Sequence, residues 1–392
     1  MMKKQWRGTV LIVLILIMPG CWSLIEINDN ALVTAVYLDI TEEGLIELTL
    51  GFPLTTRMIP GDIGGTADGG DLYATVTKTA ENIPTAYRKI QADLPRIITW
   101  GHTRVIVFSS EFAEQGVYES LEFFVRQPDF HLTASVFIAP DKAADIAGLT
   151  PAFERLPSEV IHEFVNHEVT LDVKVKDFMR AYHYGGNMLA PFLTIGEKPM
   201  ISEGGEKSTW VGTGGAALFH EGRMVGELSV PLMRGAMWFE RRTEDAVITI
   251  DSFTDGKPVS IIVLYADIKK KPQIKDGNVL FELTIEVDDD LLAVDSDIDV
   301  TVPSLLHKLE KQFAAAIKER IEGAFKETQA HQADVFNIGQ YLEWYYPDYW
   351  EEVRPQWHEK YSDVMLDCDV TIKINRPGSV KNPPWAKEEI EI

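Results

Sequence analysis

Four groupings in the 392-residue chain have residue types that could do chemistry, and spacing decides each of them. His162-Glu163-Phe164-Val165-Asn166-His167 has the composition of a zinc-peptidase helix. Such a helix stacks its histidines at i and i+4 on one face; here the second stands at i+5, turned by about 100° more. The pair reads as surface histidines on a helix. Gly212-Thr213-Gly214-Gly215-Ala216-Ala217 approximates a dinucleotide turn, but only four residues separate Ala217 from Gly222, too few for the helix that must follow. It reads as a glycine-bearing strand. Asp295, Asp297 and Asp299 sit at the offsets of a calcium loop. The sixth position of that loop needs glycine and the twelfth a bidentate Glu; Val300 and Leu306 stand there, so the acids read as a solvated hairpin or helix start. Ser109-Ser110 ends a strand, with no G-x-S-x-G elbow anywhere. The expectation is a protein that is not an enzyme, with no catalytic, cofactor-binding or metal-binding residues.

The two cysteines, Cys21 and Cys368, exclude a disulfide scaffold and a Cys-rich zinc module. Cys21 has an informative setting. Lys3, Lys4 and Arg7 form a positive start, and Val10 to Met18 is an unbroken apolar run, too short to span a bilayer. Met18-Pro19-Gly20 then leads into Cys21, an arrangement that resembles the bacterial lipobox, in which the cysteine sulfur takes a diacylglyceryl group. Cys21 is the expected lipid-attachment site and residues 1–20 the signal peptide. Cys368 then has no partner, and in Val364-Met365-Leu366-Asp367-Cys368-Asp369-Val370 it reads as a half-buried structural thiol on a strand.

The whole chain carries 37 Lys and Arg against 60 Asp and Glu, a net charge of −23, which repels phosphate and excludes nucleic-acid binding as its main business. At 45% hydrophobic and 25% charged residues it is core-forming rather than disordered. No run of 18 apolar residues occurs, so the mature chain is expected outside the membrane, held by its lipid. Anionic lipid repels a body this acidic, which confines membrane contact to the anchor and to partner proteins.

These groupings need elements to carry them. Ala31–Leu38 and Ile46–Leu50 read as strands, followed by a Gly- and Asp-rich loop from Gly61 to Asp71. Ile83, Tyr87, Ile90 and Leu94 fall at helical spacing, Val105–Phe108 is a short buried strand, and one helix is predicted from about Glu111 to Pro128. Leu132–Ile138 follows as a strand. A linker is expected around Glu197–Ser208, then strands near 216–219, 223–228, 246–250, 259–268 and 279–287. Leu305, Leu309, Phe313, Ile317, Ile321 and Phe325 recur every four residues, which predicts a long core helix over Pro303–Lys326. An aromatic stretch from Tyr341 to Trp357, a strand over Val370–Ile374 and an extended tail from Pro377 close the chain. The class is α+β in two or three mixed domains. The expected division is 1–20, 21–200, 208–275 and 276–392, with 208–392 counting as one unit in the coarser version.

Taken in order along the chain, these residues resemble the Ger(x)C family, the C-subunit lipoproteins of Ger-type spore germinant receptors. Cys21-Trp22 with Glu26-Ile27-Asn28-Asp29 is similar to the family's mature start, with Ser23 where an acid is common. Gly101-His102, Val105-Ile106-Val107, Phe123 to Pro128 and Leu132 to Ala139 resemble its central block, and Leu156-Pro157-Ser158 and Asp177-Phe178 follow. Ala216 to Leu228, with Arg223-Met224-Val225-Gly226, resembles the opening of its C-terminal domain. Asp334-Val335-Phe336, Pro347, Trp350, Trp357 and Pro377-Gly378 complete the match. The resemblance implies three mixed α/β domains and a lipid-anchored, non-catalytic subunit on the outer face of the cell membrane or spore inner membrane. It implies two membrane partners, one transporter-like and one with a soluble domain, in a complex that senses nutrients and triggers germination. Two other classes stay open: an extracytoplasmic solute-binding lipoprotein of a transport system, which would need two similar α/β lobes, and an exported hydrolase, for which no nucleophile motif appears.

Overall fold

The computed structural model describes residues 29–54, 72–149, 154–196, 200–201, 207–240 and 243–376; the signal segment, Cys21, the 61–71 loop and the tail from 377 lie outside them. Strands β1 (Asn30–Leu32), β2 (Ala35–Ile40), β3 (Ile46–Pro53) and β4 (Tyr73–Ala80) precede α1 (Ile83–Asp93), β5 (Ile97–Thr99) and β6 (Val105–Ser109). Helices α2 (Ser110–Gln115) and α3 (Tyr118–Val125), strand β7 (Ser135–Ala139), then α4 (Ala143–Ala147), α5 (Pro157–Asn166) and α6 (Val175–Tyr182) lead to β8 (Met188–Ile195). The short β9 (Met200–Ile201) and β10 (Lys207–Ser208) pair with each other, and β11 (Val211–His220), β12 (Arg223–Leu228) and α7 (Val230–Met237) follow. Strands β13 (Val247–Asp251), β14 (Pro258–Lys275) and β15 (Asn278–Val294) precede α8 (Pro303–Ala330), α9 (Ile338–Tyr345), α10 (Pro347–Val353) and α11 (Trp357–Tyr361), and β16 (Met365–Arg376) ends the described chain.

An eight-stranded mixed sheet runs β12-β11-β8-β7-β6-β2-β3-β4, with its central strands parallel. Every residue of β6 and β7 is buried, as expected for strands covered on both faces. Val36, Leu38, Ile106, Phe108, Val136 and Ile138 point to the main core, on the side of α1 to α3. Tyr37, Val107 and Phe137 point the other way, onto Ile146 of α4 and Ile161 and Val165 of α5. The period-two alternation of a strand assigns those two cores.

Two expected elements are divided. The strand predicted over Ala31–Leu38 breaks at Val33-Thr34, where β1 leaves to pair with β5 while β2 joins the large sheet. The helix predicted from Glu111 to Pro128 breaks at Gly116, whose φ of +118° is outside the right-handed helix, so α2 and α3 are separate. The next amide, Val117, donates to the Gly222 carbonyl at 3.0 Å instead of continuing a helix. Strands β4 and β8 were not among the elements the periodicity predicts; β4 is rich in Thr and only partly buried.

The second sheet runs β13-β14-β15-β16. Strands β14 and β15 form a long antiparallel hairpin closed by Asp276-Gly277, both at positive φ, the geometry a two-residue turn requires. Strand β16 returns parallel to β15 after α8 to α11. The predicted core helix is present and four residues longer, and Leu309, Phe313, Ile317, Ile321 and Phe325 are buried in one cluster with Phe281, Leu283 and Ile285 of β15. Leu305 and Leu306, in its first turn, are only partly buried.

Residues 197–199 and 202–206 of the expected linker lie outside the described residues. Residues 275 and 276 fall at the hairpin turn between β14 and β15. Across the 200–208 segment, β11 pairs with β8 from Val211 opposite Ile195 to Phe219 opposite Met188. A bulge between Thr213 and Ala216 accommodates Gly215, at φ +115°, where a Cβ would lie 2.2 Å from the Leu228 carbonyl oxygen.

Candidate functional site

The groupings singled out by spacing are placed as follows. His162 lies on α5 with Nδ1 buried and unbonded, and burial lowers its pKa; His167 caps the helix end beside Glu163 at 3.5 Å. Gly212 to Ala217 lie within β11. Asp295, Asp297 and Asp299 lie between β15 and α8, where Ser296 Oγ and the Asp297 amide donate at 2.8 and 3.0 Å to Asp255, from the turn between β13 and β14, and Asp299 accepts from the Thr301 amide at 2.9 Å. Among the described residues no group of three or more His, Cys, Asp or Glu is placed to hold a metal. Cys368 is on β16 as expected but is fully rather than half buried, because the inner face of β16 packs beneath α8; burial pushes its thiol up to about 12. Such a thiol is a packing group rather than a nucleophile. Cys21 lies outside the described residues.

The aromatic stretch divides by exposure. Trp350 and Trp357 pack edge to face at 5.5 Å in the core, and Tyr361 is fully buried against Phe325. Trp344 and Tyr345, at the end of α9, are 61% and 55% exposed. Tyr182, at the end of α6, is 66% exposed, and the nearby Tyr184 hydroxyl donates to Glu343 at 3.1 Å, which ties α6 to α9 at this surface. Buried Asp334 holds the start of α9: its carboxylate accepts from the Ile338 and Gly339 amides at 2.9 and 2.7 Å and from Trp357 Nε1 at 2.8 Å. Burial raises its pKa, against the lowering effect of those three donors.

A cleft of about 320 Å³ lies at the meeting of α6, the start of β8, the end of α7 and the turn before α9. Leu171, Val173, Leu189 and Phe336 supply apolar wall, and Asp172, Lys174, Lys176, Asp177, Arg180, Asn187 and Asn337 supply the polar groups. Lys174 Nζ sits 2.7 Å from Asp172, and Asp177 accepts from the Lys174 amide at 3.0 Å with Arg180 at 3.5 Å. Asn187 is buried and bonds through Oδ1 to His220 Nδ1 at 2.7 Å. Burial lowers the His220 pKa, and because an amide oxygen can only accept, Nδ1–H is the donor. Only Asp177 and the Val335-Phe336 segment of this cleft were marked by sequence; Asn187 and His220 carried no signal, because their pairing spans 33 residues.

Two separate sheets, one of eight strands and one of four, with helices packed on each, define an α+β protein. Residues 24–195 match the family described as spore germination protein N-terminal domain, and residues 214–378 the family described as spore germination B3/GerAC-like, C-terminal. The chain belongs to this spore germination family. It is 22% identical to spore germination protein KC of Bacillus subtilis (strain 168), covering 98% of both chains. It is also 22% identical to spore germination protein B3 of the same organism, covering 97% of this chain and all of that one. The crystal structure of the GerBC protein superposes with a TM-score of 0.56 at 18% identity, covering 87% of this chain and 96% of that chain, which shows a shared fold.

Proposed function

We propose that the protein is a lipid-anchored, non-catalytic subunit of a spore germinant receptor complex, required for nutrient-triggered germination. The observation that carries this reading is the match of both family domains, in order, to relatives named as spore germination proteins over nearly their full lengths. The anchor is Cys21, and the body sits on the outer face of the cell membrane or spore inner membrane. No helix among the described residues is long and apolar enough to cross a membrane. A tether at one end confines the body near its partners and raises its effective concentration for them. Those partners are the transporter-like membrane subunit and the second membrane subunit with a soluble domain.

The contact surface is the exposed aromatic ground of Trp344, Tyr345 and Tyr182. Large aromatics supply most of the energy where a protein surface is desolvated by a partner. Trp350 and Trp357, in the same aromatic stretch, have no share in that surface because they are buried in the core.

Deleting the gene in its host and measuring nutrient-triggered germination tests the reading. Loss of response to at least one nutrient is expected, with recovery on complementation by the wild-type gene and poor recovery by a Trp344→Ala, Tyr345→Ala variant. Normal germination by every nutrient route, with no membrane subunit retained by the purified protein, would overturn it.

A further inference from the structure

We infer that the cleft beneath α6 binds a small carboxylate with a short apolar body. Its charged lining is three cations, Lys174, Lys176 and Arg180, against two acids, Asp172 and Asp177, on a chain of net charge −23. A locally cationic hollow in so acidic a protein concentrates small anions there. Lys174 and Arg180 have acidic neighbours, whereas the exposed Lys176 has no ion-pair partner among the described residues and can meet an incoming carboxylate directly.

Asn187 adds a held polar group to the lining. It is only 7% exposed, an unusual place for an amide unless its hydrogen bonds are arranged. The His220 ring donates from Nδ1 to Oδ1 at 2.7 Å, which holds the amide in place in the wall of the cleft. The amides at the start of α6 do not compete for the ligand: those of Val175 and Lys176 are already taken by the Ala134 and Leu132 carbonyls, each at 3.0 Å. The apolar wall can take an alkyl group, and about 320 Å³ is at the small end of ligand cavities, which admits a molecule of a few carbons. The walls come from both matched family domains, so an occupant would touch each of them.

The inference does not depend on the receptor reading, since it concerns binding by the isolated chain. Saturation-transfer NMR on the full chain, titrated separately with butyrate, acetate and butyramide, tests it. Butyrate should give a saturable signal, acetate a weaker one, and butyramide, which lacks the charge, affinity lower by about tenfold. Lys176→Gln, at an exposed position, should weaken butyrate by about tenfold, and so should Asn187→Asp, which sets a like charge in the cleft; Lys311→Gln on α8 should change nothing. No saturable butyrate signal, equal binding of butyramide, or unchanged butyrate affinity in Lys176→Gln would overturn the inference.

Discussion

The indole Nε1 of Trp357 donates to the buried carboxylate of Asp334 at 2.8 Å, across 23 residues of chain that hold two helices. The same carboxylate caps α9 through two backbone amides, so one side chain fixes where α9 begins and where the chain returns after α10. Trp350 closes the arrangement by packing on Trp357, and Gly339 leaves room for both rings: a Cβ there would lie 2.6 Å from Trp350 and 2.9 Å from Trp357.

This pair should be energetically coupled. Asp334→Ala leaves three buried donors without an acceptor and should cost about 2–5 kcal/mol. Trp357→Phe should cost about 1–3 kcal/mol. A double-mutant cycle by denaturant unfolding should return a coupling of roughly 1 kcal/mol or more. Additive losses would mean that the two residues act separately.

Phe313 on α8 is fully buried and Lys311, two residues before it, is exposed. Phe313→Ala should destabilise by about 3–5 kcal/mol and lower the melting temperature clearly, whereas Lys311→Ala should stay within about 0.5 kcal/mol. Equal shifts in thermal unfolding would show that the core face of the helix is misassigned.

Asp289 is fully buried on the inner row of β15, and neither carboxylate oxygen has a hydrogen bond. Burial first, then the neighbouring Asp288 and Asp290, push its pKa from 3.8 up to about 7. The folded state therefore holds a proton that the unfolded state has released. Stability should be full below about pH 3.8, fall as pH rises from 3.8 to about 7, and stay reduced above that. Asp289→Asn removes the titration and should raise the melting temperature more at pH 8 than at pH 4. Parallel pH profiles for wild type and variant would rule out this residue as the cause.

Cys21→Ala should release the protein from the membrane fraction or block its processing, because a thioether-linked lipid cannot form without the sulfur. The measurement is fractionation of expressing cells with a mobility comparison; unchanged membrane association together with unchanged mobility would exclude Cys21 as the anchor.

Much of the fold could be read from local pattern. The helix over Pro303–Lys326 follows from six apolar residues four apart, and β12 runs from Arg223 to Leu228, the strand expected there. The errors have local causes. Gly116 could have marked the break between α2 and α3, since glycine permits the φ of +118° found there, but the apolar spacing runs through it. Strand β4 was missed because its threonines alternate with only partly buried neighbours, which leaves little hydropathy contrast.

By itself the sequence determined what chemistry lacks the necessary spacing, which faces of α8 and the buried strands are apolar, and the positive, apolar and cysteine order around Cys21 that resembles a lipobox. Periodicity encodes that a face is to be buried; it does not encode which distant element will cover it. Only the tertiary structure decided that β11 would pair with β8, that Trp350 would be buried while Trp344 stays 61% exposed, and that Asn187 would meet His220 beside Lys176 and Phe336. Those outcomes depend on contacts between segments tens to more than a hundred residues apart, and the free energy of each contact exists only once both segments are in place.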